Sequence, residues 1–318
     1  MKETGGRHVV RIAADDVGRR VTVRRRTPSG SATDVVGDLR EWTDDHLVVR
    51  DRDDTDHELA RRDLIAGHLV ASRPAPPRAA TLERVTAAGW PAVETEPLGQ
   101  WLLRAAGGFT GRANSALALG DPGVPFDEAV RRVRAWYADR DLPARAAVVS
   151  PSAEDDAFAV RGWVTSPAVL VQTADVDDVS ARLRTEGDGV DVHDAPSAAW
   201  LARYTARGEV TETGRRVLTG GATVGFAQAG DEPAAIGRGV VTGEWLGLSA
   251  IEVAPTARRR GLGTAVTAAL LRWGGAHGAT RAYLQVQTDN TEAKALYDAL
   301  GFRTHHRYRY RTPTAPDS

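Results

Sequence analysis

The stretch from Ser249 to Tyr297 decides how this chain folds. It begins Ser249-Ala-Ile-Glu-Val-Ala-Pro-Thr-Ala-Arg-Arg-Arg-Gly-Leu-Gly-Thr264 and ends Asn290-Thr-Glu-Ala-Lys-Ala-Leu-Tyr297. A short apolar strand, residues 246–253, leads into a basic turn that contains glycine. The turn opens a helix, whose apolar residues recur near helical spacing at Leu262, Val266, Leu270 and Trp273. A second strand, residues 282–286, and a second helix, from about Thr291 to Gly301, are predicted to follow.

The basic turn has the properties of a binding site for a diphosphate. The first turn of a helix leaves N–H groups without partners and adds partial positive charge. Gly261 and Gly263 let a phosphate approach the main chain, and the run of residues 258–260 adds three guanidinium groups. A Walker loop is excluded because Gly-Lys-Ser/Thr is missing. A dinucleotide fingerprint fits poorly, because it needs glycine or alanine where Val266 stands.

Two motifs, in this order, resemble those of the GNAT family of acyl-CoA-dependent N-acetyltransferases. The first is Arg258-x-x-Gly261-x-Gly263, preceded by Val253-x-Pro255. The second is Asn290-x-x-Ala293-x-x-Leu296-Tyr297-x-x-Leu300-Gly301-Phe302. The resemblance covers residues 181–311. It implies a mixed sheet flanked by helices, and acetyl-CoA as the acyl donor.

The resemblance also implies how the donor is bound. The diphosphate would be held by a contiguous set of residues, namely Arg258, Arg259, Arg260, Gly261, Leu262, Gly263 and Thr264. Main-chain groups of Ile251 to Val253 would lie beside the pantetheine arm, on a strand that splays away from its neighbour. Asn290 has two compatible interpretations, a contact with that arm and the N-cap of a helix.

Catalytic roles follow from the same resemblance. Tyr297 matches the family tyrosine near the thioester sulfur, where it can protonate the leaving thiolate; core packing is the alternative. Glu252 lies on the splayed strand and is the first candidate for the general base. Strict alternation along the strand could turn Glu252 to the other face, so Glu244 and Glu209 are kept as weaker candidates.

The composition bounds the compartment and the chemistry. The chain has 318 residues, a net charge of -1 and no cysteine, which excludes disulfides, zinc–thiolate sites and an acyl-cysteine intermediate. No apolar run of about 18 residues and no apolar signal core are present, so a cytoplasmic protein without a membrane span is expected. No Asp/His cluster has metal-ligand spacing, so no metal is expected. Lysine occurs only at Lys2 and Lys294, which a GC-rich genome explains better than nucleic-acid binding.

Residues 1–75 are expected to form a small β-barrel that resembles the Src-homology-3-like or Tudor-like type. Short strands alternate with turn-rich stretches such as Thr27-Pro-Ser-Gly-Ser31. The basic run of residues 24–26 could contact an acidic partner, or could be a solvated strand end. A Pro-rich linker, residues 72–78, marks the boundary of this domain.

The rest of the chain is expected to hold two GNAT-like units. Residues 76–180 are interpreted as a degenerate unit without its own diphosphate turn, and residues 181–318 as the intact domain. Within the first, the stretch Gly107-Gly-Phe-Thr-Gly-Arg-Ala-Asn-Ser115 could face a substrate or simply connect two strands. Within the second, residues 206–216 are expected to be a polar loop, followed by a strand over residues 216–228.

The leading functional hypothesis is an N-acetyltransferase that moves the acetyl group directly from acetyl-CoA to an amine in a ternary complex. The acceptor stays open between a protein amine (a lysine or an N-terminus) and a small amine such as an aminoglycoside or amino-sugar. A different class also stays open, in which the chain senses acyl-CoA without catalysis while the barrel docks a protein or nucleic acid. Tyr297 favours catalysis, because a sensor has no need of a proton donor at that position.

Overall fold

The computed structural model describes residues 10–27, 30–51, 55–70, 77–183, 189–204 and 210–314. They fall into two compact units. The first unit is drawn from residues 1–75, 151–164 and 313–318, and the second from residues 76–150 and 165–312. Of the residues expected at the site, only Glu209 lies outside the described residues; all the others belong to the second unit.

The described residues form helices and strands in the following order along the chain. The helices are α1 (Pro77–Gly89), α2 (Phe126–Ala138), α3 (Ala153–Ala159), α4 (Val176–Arg182), α5 (Ala198–Arg203), α6 (Glu212–Thr219), α7 (Leu262–Ala276) and α8 (Thr291–Leu300). The strands are β1 (Arg20–Arg26), β2 (Ala32–Trp42), β3 (His46–Asp51), β4 (Asp56–Ala60), β5 (Leu64–Leu69), β6 (Glu94–Leu98), β7 (Trp101–Ala105), β8 (Ala116–Leu117), β9 (Ala146–Val149), β10 (Trp163–Thr165), β11 (Val169–Asp175), β12 (Val190–His193), β13 (Thr223–Ala229), β14 (Ala235–Thr242), β15 (Trp245–Val253), β16 (Arg281–Gln287) and β17 (Arg303–Pro313).

The first unit is built on an antiparallel sheet with the strand order β4-β3-β2-β1-β5. Alternate apolar residues of these strands fill one core, whose members include Val21, Val23, Leu39, Leu47, Val49 and Leu59. The sheet is open, because its edge strands β4 and β5 are not paired with each other in the described part of the chain. The closed barrel expected from the sequence is therefore not confirmed.

The second unit carries one long mixed sheet. Its strand order is β12-β13-β14-β15-β16-β11-β17-β9-β8-β7-β6. Neighbouring strands are antiparallel, except that β15 is parallel to β16 and β8 to β9. Strand β11 precedes the C-terminal segment in the chain, yet it pairs with β16 on one side and with β17 on the other. The middle and C-terminal segments therefore share a continuous sheet.

Two apolar layers cover the C-terminal strands. On one face, α7 buries Val266, Leu270 and Leu271 against Leu246 and Leu248 of β15. The other face is covered by a cluster around α5 and α6, whose members include Trp200, Tyr204, Val217, Leu218, Phe226 and Ile236. Strand β15 is thus enclosed by side chains on both faces, which fixes its position at the site.

The strand expected over residues 216–228 is wrong in its first part, because helix α6 occupies Glu212–Thr219 and β13 begins only at Thr223. Thr211 caps α6 by accepting a hydrogen bond from the Gly214 N–H at 3.1 Å. Glycine lowers helix propensity by about 1 kcal/mol, which hides this helix in the sequence. In the fold, Gly214 makes room for Phe109, since a Cβ at residue 214 would lie 2.8 Å from Phe109 Cδ2. Of the expected polar loop 206–216, residues 206–209 lie outside the described residues.

Candidate active site

Strands β15 and β16 separate in the middle of the sheet. Their parallel pairing runs from Trp245 opposite Arg281 to Leu248 opposite Leu284 and ends there. Beyond this point β15 stays paired with β14, and β16 stays paired with β11. Main-chain groups on the facing edges of residues 249–253 and 285–287 are therefore left open to a ligand that could complete the ladder. This is the splay that the sequence resemblance implies.

A bulge in β15 decides which way Glu252 points. The register between β14 and β15 shifts between Ile236 and Arg238, and Ala250 on the opposing strand has φ of +52°. Leu248, before the bulge, packs under α7, and so does Ile251, after it. These residues are three apart, so the alternation of side chains between the two faces has shifted by one residue. Glu252 then shares the opposite face with its cross-strand partner Ile236. The alternation that made Glu252 doubtful in the sequence is interrupted at this bulge.

The expected diphosphate turn precedes α7 with an unusual backbone. Gly261 is the N-cap, with φ of +77°, and Arg259 also has a positive φ of +57°. The hydrogen bonds of α7 begin after these residues in the chain, with the Ala265 N–H donating to the Gly261 carbonyl at 2.9 Å. The N–H groups of residues 261–264 donate to no protein acceptor within the described residues. The left-handed turn thus presents a row of unpartnered donors at the positive end of the helix.

The arginines of this turn, residues 258–260, are exposed. None forms an ion pair with a carboxylate of the described residues. The turn also lies next to the end of β15 and to α8, since a Cβ at Gly263 would lie 3.7 Å from Val253 Cγ2 and from Leu296 Cδ2. Positive charge, free donors and the open strand edge therefore occupy neighbouring positions.

Helix α8 places Asn290 and Tyr297 on the wall of one cavity. Asn290 is the N-cap of α8, and its Oδ1 accepts from the Ala293 N–H at 3.1 Å. Tyr297 is buried, with its ring 5.8 Å from that of Phe302 in an edge-to-face contact. Burial raises the pKa of the Tyr297 hydroxyl to about 12. The hydroxyl therefore keeps its proton at neutral pH.

The cavity measures about 530 Å³ and brings the two splayed strands together with α8. Ile251, Glu252, Asn290 and Tyr297, all named from the sequence, line it. The residues of the diphosphate turn and Val253 lie outside its lining. The middle segment contributes Thr110, Gly111 and Arg112, so the Gly107–Ser115 stretch does face the cavity.

Sequence reasoning missed several other lining residues. Arg145, Tyr204, Tyr308 and Tyr310 all contribute to the wall. The two tyrosines of β17 could have been found in the sequence, since residues 308 and 310 are two apart and share one face of a strand. In the structure their hydroxyl oxygens lie 3.4 Å apart. Arg145 has no local signal, because only the sheet order brings β9 next to β17.

The weaker candidates fall elsewhere. Glu244 is exposed before the start of β15, whereas Glu252 lies near its end. Among the described residues, no group of three or more His, Asp or Glu side chains is placed to hold a metal ion. No helix in that part of the chain is both long and apolar enough to cross a membrane.

Comparison with known proteins bears on this geometry. The family model described as "Probable histone acetyltransferase Rv0428c C-terminal" matches residues 78–311. The chain is 35% identical over 318 aligned positions to "Probable histone acetyltransferase Rv0428c" of Mycobacterium tuberculosis (strain ATCC 25618 / H37Rv), covering 92% of this chain and 94% of the relative. It is 29% identical over 246 positions to "Uncharacterized N-acetyltransferase YobR" of Bacillus subtilis (strain 168), covering 72% of this chain and 96% of the relative.

A solved structure has the same fold. The GCN5-related N-acetyltransferase from Kribbella flavida superposes with a TM-score of 0.58 at 18% sequence identity, covering 76% of this chain and 98% of its own. Family match, sequence relatives and fold agree with the two motifs of residues 253–302 and with the splayed strands. The chain therefore belongs to the family described as probable histone acetyltransferase Rv0428c C-terminal, and with it to the GNAT N-acetyltransferases, which are acyl-transferring enzymes.

Proposed function

We propose that this protein transfers the acetyl group of acetyl-CoA directly to a primary amine, without a covalent enzyme intermediate. The observation that carries the proposal is the splay of β15 from β16 beyond Leu248, with Tyr297 and Glu252 on the wall of the cavity that the splay opens. The acceptor class is a protein lysine or N-terminus, or a small amine. One relative is named a probable histone acetyltransferase, a printed name that concerns that protein.

The turn before α7 is proposed to hold the diphosphate of CoA. The N–H groups of Gly261 to Thr264 have no acceptor among the described residues, and they point from the positive end of a helix. Arg258, Arg259 and Arg260 add guanidinium donors that suit phosphate oxygens. From there the pantetheine arm would lie along Ile251 to Val253 and complete the open edge of β15. Asn290 would flank the arm while capping α8.

The reaction needs donors for an oxyanion, a proton for the leaving thiolate and a base for the acceptor amine. A neutral amine attacks the thioester carbonyl, and the carbonyl oxygen becomes an oxyanion that main-chain donors of the open β15 edge stabilise. The attacking nitrogen then loses one proton to water, the carbon–sulfur bond breaks, and Tyr297 gives its proton to the departing thiolate and regains one from water. Its raised pKa keeps that proton available at neutral pH. The products are the N-acetylated acceptor and free CoA.

Glu252 is proposed as the general base. It lines the cavity on the face that the bulge at Ala250 gives it. An amine is protonated near pH 7, and a carboxylate next to it can take that proton directly or through water. Glu252 would therefore control how much of the acceptor is ready to attack.

The first unit is proposed to be a small Src-homology-3-like barrel that binds an acidic partner. The strand order β4-β3-β2-β1-β5 and the 3-10 turn Arg61–Asp63 between β4 and β5 agree with this type, whereas β4 and β5 do not pair to close the barrel among the described residues. Arg24 and Arg26 are both exposed on β1, and an acidic partner would compete with Asp34, whose Oδ1 lies 3.8 Å from Arg24 Nε. Replacing both with Gln should weaken retention on an immobilised polyanion; unchanged retention would exclude β1 as the contact.

Calorimetric titration of acetyl-CoA tests the central proposal. Wild type should bind in the micromolar range, and Gly261→Glu should abolish binding because a carboxylate would occupy the phosphate position. Gly278→Glu is the matched control, since Gly278 also has positive φ (+88°, against +77° for Gly261) and open space around it, but stands after the other end of α7. Equal binding by wild type and Gly261→Glu would reject the turn as the diphosphate site. Binding of acetyl-CoA without release of CoA thiol on any amine would instead identify a sensor.

A further inference from the structure

The wall of the cavity carries an excess of positive charge. Its described lining contains two guanidinium groups, Arg112 and Arg145, and a single carboxylate, Glu252. Neither arginine forms an ion pair with an acidic side chain of the described residues. A concave site with charge of one sign concentrates ligands of the other sign.

Arg112 is held in place by neutral groups. Its Nη1 donates to Gln285 Oε1 at 3.0 Å, and its guanidinium carbon lies 4.4 Å from the centre of the Trp90 ring. Glu83 lines a small void together with Arg112, but it is engaged with His306 Nε2 at 2.8 Å. The guanidinium of Arg112 is thus oriented without being neutralised, and donors of its planar fork stay available.

Arg145 approaches the same loop from β9. Its guanidinium carbon lies 5.3 Å from the centre of the Tyr310 ring. A Cβ at Gly111 would lie 2.7 Å from Arg145 Nη1, so the arginine runs directly along the Thr110–Arg112 wall. Both guanidinium groups therefore border one part of the cavity.

The hydrogen bonding of Arg112 differs from that of Arg238, a structural arginine of the same sheet. Arg238 is fully buried, and its donors are used by backbone carbonyl oxygens of Leu218 at 2.6 Å, Gly220 at 2.6 Å and Gly89 at 3.0 Å. The guanidinium of Arg112 makes only one hydrogen bond to a described residue, and it is to a neutral amide. In Arg238, backbone carbonyl oxygens accept hydrogen bonds from the guanidinium donors, whereas most of the donors of Arg112 have no such acceptor among the described residues.

We infer that the acceptor is an amine that also carries a carboxylate or phosphate group, and that Arg112 and Arg145 bind this anionic group. The inference rests on the proposed function, because it assigns the acceptor of the same site. A carboxylate or phosphate can accept two parallel hydrogen bonds from one guanidinium group. A lysine-rich peptide, by contrast, would bring like charges against both arginines.

Release of CoA thiol with matched acceptor pools tests the inference. The first pool holds α-amino acids, and the second holds their decarboxylated amines. Phosphoethanolamine forms the third, and ethanolamine, which lacks the phosphate, is assayed separately beside it. The fourth is a lysine-rich peptide. Turnover should be confined to amines that carry a carboxylate or a phosphate, and the first and third pools separate these two sources. The active members are then measured individually for KM and kcat.

The variants Arg112→Gln and Arg145→Gln report on the site itself. Each should raise KM for the anionic acceptor by roughly 10- to 100-fold, the usual worth of a hydrogen bond to a charged group, while the KM for acetyl-CoA stays unchanged. Arg112→Lys should recover part of the loss because it keeps the charge without the planar fork. Arg84→Gln is the control: Arg84 donates to the Gln100 carbonyl at 3.2 Å and is absent from the lining of the cavity.

Two kinds of failure are distinguishable. Turnover with amines that carry no anionic group, and none with the anionic amines, overturns the inference, whereas binding of acetyl-CoA without turnover on any amine fails the proposed function. An unchanged KM in both Gln variants overturns it as well. If wild type binds no acetyl-CoA by calorimetry, the proposed function itself fails.

Discussion

Ile236 and Glu252 lie directly opposite each other in the register of β14 and β15, on the far side of the bulge at Ala250. The pairing places the carboxylate of Glu252 on the wall of the cavity, next to main chain that β16 leaves open. A one-residue irregularity in a strand thus selects which side chain serves the site.

Glu252→Gln should lower kcat by roughly 100-fold, the usual scale for loss of general base catalysis. The isosteric amide cannot accept the proton of the amine, so the remaining activity should rise with pH as the free acceptor deprotonates. The pH profile of kcat/KM checks this expectation. Glu244→Gln, outside the cavity, should match wild type; an unchanged profile for Glu252→Gln would assign the proton to another group.

Ala250→Val should remove most activity and lower the free energy of unfolding by about 1 to 3 kcal/mol. A β-branched residue is strained at a φ of +52°, so the bulge should shift or open. Ala250→Gly is the companion variant, because glycine adopts this φ without strain and should keep activity. Urea unfolding and turnover measured on both variants give the comparison. Equal behaviour of the two variants would mean that the bulge does not direct Glu252.

Tyr297→Phe should lower kcat by roughly 10- to 100-fold with little change in acetyl-CoA affinity. Burial raises the pKa of Tyr297 from 10.0 to about 12, so its ionisation should not limit the wild-type rate below about pH 11. A rate that falls with a pKa near 10 in wild type and not in the variant would contradict this.

The same hydroxyl makes stability depend on pH in a defined direction. Because the folded pKa of Tyr297 is raised, its contribution is fully present below pH 10 and is lost as pH rises toward about 12. The free energy of unfolding of wild type should fall relative to that of Tyr297→Phe by about 1.4 kcal/mol for each pH unit above 10. Urea unfolding of both proteins between pH 9 and 11 measures it, and other titrating groups cancel in the difference. A constant difference would show that Tyr297 is solvated.

Gly214→Ala should raise the KM of the acceptor while leaving acetyl-CoA binding intact. A Cβ at residue 214 would lie 2.8 Å from Phe109 Cδ2, so the Phe109 ring must shift, and we expect the shift to disturb the Gly107–Ser115 stretch that carries Arg112. Gly275→Ala, in α7, is the control, since its Cβ would meet Val176 Cγ1 at an ordinary 3.6 Å. It should be neutral or slightly stabilising. Calorimetry and acceptor kinetics separate the two effects, and an unchanged acceptor KM would mean that the loop is not held by α6.

The sequence predicted those parts of the site that depend on neighbours in the chain. The turn at Gly261, the helix α7 and the Asn290 cap of α8 all follow from local spacing and propensity, and the structure has each where it was expected. Family membership and the mixed sheet are confirmed as well. The roles of Tyr297, Glu252 and the arginines of the turn stay predictions.

What the sequence could not predict depends on pairing between distant segments. The place of β11 between β16 and β17 has no local signature. The bulge at Ala250 is equally hidden, because alanine gives no sign of a positive φ. The sequence predicts that the stretch containing Arg112, residues 107–115, could face a substrate. Only the shared sheet brings Arg112 to the cavity together with Arg145. Helix α6 was missed since Gly214 argues against a helix until Phe109 is seen beside it.

The position of β11 has a consequence for synthesis. Its two partners, β16 and β17, are synthesised more than a hundred residues after it. Both edges of β11 therefore stay unpaired on the ribosome until these strands have been made. Translation proceeds at roughly 5 to 20 residues per second, which leaves an unpaired apolar strand available for wrong partners for several seconds. Asp175 places a negative charge at the end of β11, and the charged helix α4 follows directly. These charges disfavour pairing of the exposed strand with copies of itself.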